Sequence, residues 1–539
     1  MSILFIIFAP LWVISVLKET LFWAYLFQLK EYRLDRMRAH FELPSSRRLL
    51  FGNKTRALTA FFLLFIVAYF LPILGIIAGI LAILFYIISA YRFYTYVSEK
   101  QLKVPKFTAR VILLALTVIF IYGLILILGS QNINKIGFPV LFGAELILPL
   151  AVAFFAFFYA PFFVFLKKRI LQKALIKRRA MPDLFIIGIT GSCGKTSTKD
   201  FLYHLLAKNF RVYKTPENVN TEIGVAKDFV AHVQKDHDIY IAEMGAYKRG
   251  EIAALSAILQ PNMAILTSVS DQHLSLFGSV RDISAAKYEL VNSLSDKGLA
   301  IFNGDNAECR NLFSRTEKSK RLYASGIPES GVYNGIFAKS IKYTEEGTVL
   351  EITDRTESAR IEAPLLGYAH AINLLGAITA ACALGVSFKD IAKRAKSLNP
   401  PSRTMEIRKG IKGSRVIDDS YSGNTEGVLA ALRTLKQMDG NKKICIFYPL
   451  IELGEKAPEA HKVIGSKIGE TCAYCIVTAP DYFTLIEKEA LQSGLPKDAI
   501  FLIPDAFLAA RKAQELIEEG DVILLENRIP EIIRHGVLL

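Results

Sequence analysis

From Leu58 to Tyr91 the chain reads LTAFFLLFIVAYFLPILGIIAGILAILFYIISAY, without a single charge. As one helix this run would be about 50 Å long. A bilayer hydrocarbon core is roughly 30 Å thick. The central LPILG, Leu71–Gly75, offers a break that turns the run into a tight hairpin of two spans. Three further apolar runs follow the same logic: Leu4–Phe27, Val111–Gly129 and Ile136–Leu166. The overall 52% hydrophobic content therefore belongs mostly to the first third of the chain.

Charge orders these runs. Lys30, Arg33, Arg36, Arg38, Arg47, Arg48, Lys54 and Arg56 crowd the first connection, and KKRILQKALIKRR follows the last apolar run. Basic segments stay on the cytoplasmic side. Four passes would place these two segments on opposite sides, whereas five place both inside, with Arg92–Arg110 inside and Ser130–Lys135 outside. Five is the favoured reading. The alternative is four, with Leu4–Phe27 lying along the surface, because Lys18 and Glu19 are expensive at mid-membrane. Leu4–Phe27 also lacks the short, small-residue pattern of a cleaved signal. The basic runs read as membrane flanks; a lipid-headgroup or pyrophosphate site would rest on charge alone. Membrane lipids are expected partners, and no nucleic-acid module is present.

From Met181 the pattern changes. DLFIIGIT, DIYIAEMG, MAILTSV, KGLAIFNGD, SRVIDDSYS, KKICIFYPL, AYCIVTA and DVILLEN read as strands. They alternate with helical stretches such as TEGVLAALRTLKQM. This is α/β layering. SLNPPSR, Ser397–Arg403, marks a boundary because paired prolines interrupt a helix. Three regions are expected: a membrane domain over 1–170, an α/β domain over 181–399 and a second over 400–539. All six cysteines lie beyond the apolar third. In a cytoplasmic setting they are expected as thiols. The single C-x-x-C of Cys472 and Cys475 is weak for zinc and reads as core.

GITGSCGKTSTKD, Gly188–Asp200, joins a strand to a helix through a glycine turn. Such a turn is an anion site. Gly188, Gly191 and Gly194 let the backbone approach phosphate. Lys195 can reach the outer phosphates, and Thr196 can place a hydroxyl on Mg²⁺. Five residues, not the four of the strict nucleotide-loop pattern, separate Gly188 from Gly194.

This loop resembles the ATP loop of the Mur ligases, which form amide bonds in the peptidoglycan peptide. Folylpolyglutamate and cyanophycin synthetases share it more distantly. TPENVNTEIGV, AEMGAYKRGEI, ILTSVSDQHLSLFGSVRDISAAKYEL, IDDSYSGNTEG and IELGEKAPEAHKVIG continue the resemblance in order. Several of these are most similar to the branch that adds D-alanyl-D-alanine. The resemblance implies a central P-loop-type domain, a Rossmann-like C-terminal domain, and ATP with Mg²⁺. It implies a nucleotide site of Gly191, Ser192, Gly194, Lys195, Thr196, Ser197, Asn303, Asn373, Arg403 and Asp419. Asp305 belongs to the softer strand-end match. The metal would be held by Thr196, Glu243, His273 and a carbamylated Lys287. Lys195, Lys287 and His273 would be catalytic.

The sequence departs from the family in four places. The glycine-x-histidine-asparagine signature reads Gly367, Tyr368, Ala369, His370. The glycine-aspartate-methionine before IELG reads Tyr448, Pro449, Leu450. The C-terminal lysine-glycine-serine-arginine reads Leu525, Glu526, Asn527, Arg528. A membrane domain stands where the family has a UDP-binding domain. The implied activity is an ATP-dependent carboxylate–amine ligase at the cell membrane, multi-pass, with its α/β domains in the cytoplasm. Its acceptor would be a cell-wall precursor, UDP-linked or prenyl-lipid-linked, and its amine an amino acid or dipeptide. A poly-amino-acid or folate-type ligase, an ATP-driven transport subunit and a non-catalytic scaffold stay open as alternatives.

Overall fold

The computed structural model describes residues 2–41, 44–98, 104–131, 137–217, 219–271, 274–328, 334–344, 347–421 and 423–539. The chain divides into two units, Met1–Lys168 and Arg169–Leu539.

Among the described residues of the first unit, five helices are long and apolar enough to cross a membrane: Ile3–Leu29, Ser46–Ala68, Ile73–Thr95, Ala109–Gln131 and Phe138–Phe158. The uncharged run does break. One helix ends at Ala68 and the next begins at Pro72, a first-turn position where a missing N–H is harmless. The last apolar run differs from its reading as one segment. It stops at Phe158, and a new helix, Ala160–Arg179, begins with Pro161 in its first turn. Most of the Ser130–Lys135 connection lies outside the described residues.

Aromatic rings fill this bundle. Phe65 stacks on Phe138 at 4.7 Å, and Trp12, Phe8, Tyr86 and Phe142 are buried around them. A polar knot sits in their midst. Glu145 accepts from Ser15 Oγ at 2.7 Å and from the Tyr86 hydroxyl. Lys54 Nζ lies 2.9 Å from both Glu145 and Glu19. Glu145 is thus satisfied on both oxygens, as a buried carboxylate must be.

The second unit holds two sheets. The strands are β1 Phe185–Thr190, β2 Val212–Lys214, β3 Ile239–Glu243, β4 Met263–Leu266, β5 Leu299–Asn303, β6 Lys320–Ala324, β7 Gly335–Thr344, β8 Gly347–Thr353 and β9 Ser358–Ala363. They form one sheet in the order β2-β3-β1-β4-β5-β6-β7-β8-β9. It is parallel up to β7, and β8 and β9 close it as antiparallel strands. Alternate residues of β1 serve opposite cores. Ile187 and Ile189 pack with Phe201 and Leu205 of helix Lys195–Leu206 and with helix Tyr368–Ala383. Ile186 packs on the other face with Phe229, Leu255 and Leu290. Covering both faces explains why these strands read as unbroken apolar runs.

The second sheet contains β10 Glu406–Lys409, β11 Arg415–Asp419, β12 Lys443–Phe447, β13 Tyr474–Val477, β14 Ile500–Leu502 and β15 Val522–Glu526. Its order is β10-β11-β15-β12-β13-β14, with β10 as the antiparallel edge. Cys445 and Cys475 are register neighbours on β12 and β13, and with Cys472 they are buried free thiols.

Candidate functional site

The carboxyl ends of β3, β1 and β4 lie side by side, the usual place for ligands in an open parallel sheet. β1 ends at Thr190, and helix Lys195–Leu206 starts five residues on. The turn between them leaves no space for side chains at two glycines. A Cβ on Gly191 would stand 1.9 Å from Thr267 Oγ1, and one on Gly194 would stand 2.2 Å from Asn373 Oδ1. Gly194 also has φ +79°, which disfavours other residues. The turn is pinned from behind. Ser192 N–H donates to Ser268 O at 2.8 Å, Cys193 N–H donates to Ser268 Oγ at 2.9 Å, and Thr267 Oγ1 donates to Cys193 O. Gly194 gives the helix no side-chain cap. Its first N–H groups, with the positive end of the helix dipole, are therefore available to an anion.

Glu243 closes β3 and is buried. Its Oε2 accepts from Thr196 Oγ1 at 2.9 Å and from Lys199 Nζ at 3.1 Å, and its Oε1 accepts from Asn220 Nδ2 at 3.1 Å. Burial alone would push this carboxyl up; Lys199 and Lys195 outweigh burial and hold it below its ordinary value. Lys195 itself folds over the turn, donating to Gly191 O at 2.8 Å and Ser192 O at 3.1 Å. Lys287, on helix Val280–Asn292, is buried nearby. Burial, and then the charge of Lys195, pull its ammonium down to about 7. Lys199 and Lys195 thus face Glu243, and Lys287 lies within reach of Lys195.

The other residues picked from the sequence take supporting places. Ser192 Oγ accepts from Ser270 N–H at 2.9 Å, and Ser197 is buried in the first helical turn. Asn303 donates to Thr267 O at 2.7 Å and accepts from Asp305 N–H at 2.9 Å, so it ties the ends of β4 and β5. Asp305 accepts from Ser325 N–H and from the Tyr368 hydroxyl at 2.9 Å. Asn373 presses against Gly194. His370, at the departed signature, is buried against Phe201, and burial lowers it to about 4. His273 lies outside the described residues.

Arg403 and Asp419 form a second group. Arg403 Nη2 donates to Ser420 O at 2.8 Å, and Asp419 Oδ1 accepts from Met405 N–H at 3.2 Å. Burial pushes the Asp419 carboxyl up to about 7. Glu526 is its register neighbour on β15 and is buried, which raises its carboxyl well above the ordinary value. This group reaches the first through the segment after β11. Asn424 caps helix Thr425–Gln437 and donates from its amide to Cys193 Sγ in the turn. Tyr421 sits within the electrostatic reach of Glu243.

Sequence reasoning passed over Lys199, Asn220 and Asn424. Lys199 had a signal. It follows Lys195 by one helical turn, on the same face, and a fully buried lysine needs a carboxylate.

Comparison with known proteins agrees in order and extent. The Mur ligase middle domain matches residues 189–381, and the Mur ligase glutamate ligase domain matches 403–526. A UDP-N-acetylmuramoyl-tripeptide–D-alanyl-D-alanine ligase from Bacillus subtilis (strain 168) is 29% identical over 63% of this chain and 72% of its own length. The ligase of that name from Mycobacterium leprae is 30% identical over 66% of this chain and 73% of its own. The MurF ligase of Thermotoga maritima in complex with ADP shares the fold, with a TM-score of 0.59 at 24% identity, over 69% of this chain and 84% of its own. With both domain models falling in sequence across the two sheets, the chain belongs to the Mur ligase family.

Proposed function

We propose that this protein is a membrane-embedded, ATP-dependent ligase that joins a peptide amine to the carboxylate of a cell-wall precursor. The observation that carries the reading is the uncapped glycine turn beside which Lys195 and Lys199 face Glu243, with Lys287 in reach of Lys195. A site with that balance suits a polyphosphate.

The hard step in such chemistry brings two anions together, the γ-phosphate of ATP and a carboxylate. Lys195 lies across the turn, where its charge can offset the transferring phosphoryl group. The helix N-terminus holds the inner phosphates. Thr196 and Glu243 present adjacent oxygens, a donor set that fits Mg²⁺. When bound there, Mg²⁺ supplies further charge neutralisation. Lys287 is neutral at working pH to an extent ordinary lysines are not, and a neutral amine is the form that takes up CO₂. As a carbamate it would add one more oxygen donor to the Mg²⁺ site. The carboxylate takes the γ-phosphoryl group and ADP leaves; the amine then attacks the acyl phosphate and gives up a proton, and phosphate leaves as the amide bond forms. Asn424 on Cys193 fits a second domain folded onto the turn, which helps exclude water.

The relatives are named for a UDP-linked muramoyl tripeptide and D-alanyl-D-alanine. Here the five apolar helices precede the matched region. We read them as membrane spans with the ligase unit in the cytoplasm, and the acceptor as prenyl-lipid-linked. The test is ADP release by the detergent-solubilised full-length chain with Mg-ATP and D-alanyl-D-alanine. One arm supplies UDP-muramoyl tripeptide, the other the same peptide on a prenyl diphosphate. Faster turnover of the lipid-linked acceptor is expected. Equal turnover would leave an ordinary family reaction with a membrane anchor, and no turnover in either arm would remove the ligase assignment.

A further inference from the structure

The basic connection after the first apolar helix does more than flank it. Helix Ser2–Leu29 gives way to Lys30, Glu31, Tyr32 and Arg33. Glu31 and Tyr32 both hold φ +55°. Two successive non-glycine residues in the left-handed region are uncommon, and such backbone gathers at functional sites. The turn is fixed by Tyr32 N–H donating to Phe27 O at 2.8 Å. It swings the Tyr32 ring beneath Arg110, in the first turn of helix Ala109–Gln131, with the guanidinium 3.5 Å from the ring centroid. Phe163 flanks the same guanidinium at 5.1 Å. Gln28 clamps the rim, exchanging bonds of 2.9 and 2.7 Å with the backbone of Lys106.

Arg110 and Tyr32 together carry more donors than acceptors. Arg110 Nη2 donates to Ala156 O at 2.9 Å. Arg110 Nε and the Tyr32 hydroxyl, both buried, have no acceptor among the described residues. Burial also raises the Tyr32 phenol, so it stays a donor. Lys30 is buried beside them in sequence. Nearby, Glu31 pairs with Arg36 at 2.9 Å and Asp35 with Arg33 at 2.5 Å. Buried donors without acceptors cost free energy that a ligand can recover. The missing partner is an anion with several oxygens.

We propose that Arg110 and Tyr32 form a binding site for the phosphate of a lipid headgroup. The proposal rests on the membrane reading above. Gln28 and Arg110 mark the ends of their helices that face the basic segments. A lipid phosphate sits at that level, and basic pockets between spanning helices bind such heads. The fork of Arg110 matches phosphate geometry, and the aromatic rings hold it in place. The phosphate can come from a bulk phospholipid or from a prenyl diphosphate, and the same chemistry recognises both.

The experiment is native mass spectrometry of the full-length chain titrated with phosphatidylglycerol, with a prenyl diphosphate, and with a phosphate-free galactolipid. Tyr32→Phe removes one hydroxyl and keeps the ring; Arg110→Gln removes the fork. Both phosphate lipids should be retained over the galactolipid. Arg110→Gln should lower retention roughly fivefold or more, and Tyr32→Phe by less. Preference for the prenyl diphosphate would identify the acceptor as the ligand, and equal retention the surrounding phospholipid. Retention blind to phosphate, or unchanged by Tyr32→Phe and Arg110→Gln together, overturns the site. A chain stripped from vesicles by alkaline carbonate overturns the membrane reading and this site with it. A chain that stays in the vesicles yet shows no phosphate preference overturns the site alone.

Discussion

Glu145 in the helical unit and Glu243 in the ligase unit are both buried carboxylates beside lysine, yet they are built for different ends. Glu145 is fully spoken for by Ser15, Lys54 and Tyr86, and Lys54 shares itself with Glu19. There one lysine, Lys54, bridges two acids. Glu243 has the opposite balance. Lys199 neutralises it, while Lys195 adds charge next to an uncapped helix start. A saturated polar knot holds helices together. One left with surplus charge beside a glycine turn invites a ligand.

That contrast can be broken most sharply by Lys195→Ala. Losing a charge aimed at the reacting phosphate should reduce turnover by roughly 10²–10³-fold, read as ADP release. The melting temperature should barely move, because Lys195 only bonds carbonyls of its own turn. A variant with intact turnover would place Glu243 and its lysines among structural knots.

The converse change is Glu145→Ala. It leaves Lys54 with Glu19 and the Ser15 hydroxyl inside an apolar bundle. Removing one partner of a buried pair costs about 3 kcal/mol or more. Thermal unfolding in detergent should show the loss, while ADP release measured well below the transition should persist. Across the bilayer, the helix rises about 16 Å from Ala156 to Glu145, near mid-depth, where a poorly paired charge is least tolerated. An unchanged melt would mean that Glu19 and Ser15 satisfy Lys54 without Glu145.

The smallest effect concerns pH. Lys287 in the folded chain titrates near 7, against 10.5 ordinarily. Between these values the unfolded chain holds a proton that the folded chain has released. Stability therefore rises with pH across that window, by up to about 1.4 kcal/mol per unit for this one group. Below about 7 both states are protonated and the cost of burial is constant. In CO₂-free buffer the wild type should gain on Lys287→Met from pH 7.5 to 9. Parallel melting curves for the two would show that Lys287 keeps its proton when folded.

Much of this molecule can be read from local pattern. The break at Leu71–Gly75 followed from a length no bilayer accommodates, and Pro72 placed it. The turn Gly191–Gly194 was legible because spacing sets it between a strand and a helix, whereas Glu243 and Lys287 were picked on the family resemblance. The family resemblance ordered the rest. The division of Ile136–Leu166 at Tyr159 was harder, since apolar composition is the same on both sides of the turn. Lys199 was passed over because a lysine on a helix looks solvated until its partner is known.

Sequence by itself therefore determined the apolar helices, the α/β layering and the phosphate turn, each a matter of period, length or neighbouring residues. Only tertiary structure decided which charges meet. Glu243 finds Lys199 from another element, Glu145 finds Lys54 across a bundle, and Arg110 lies over a tyrosine many residues upstream. Burial and charge at a point depend on every element that packs there, and no local pattern carries that information.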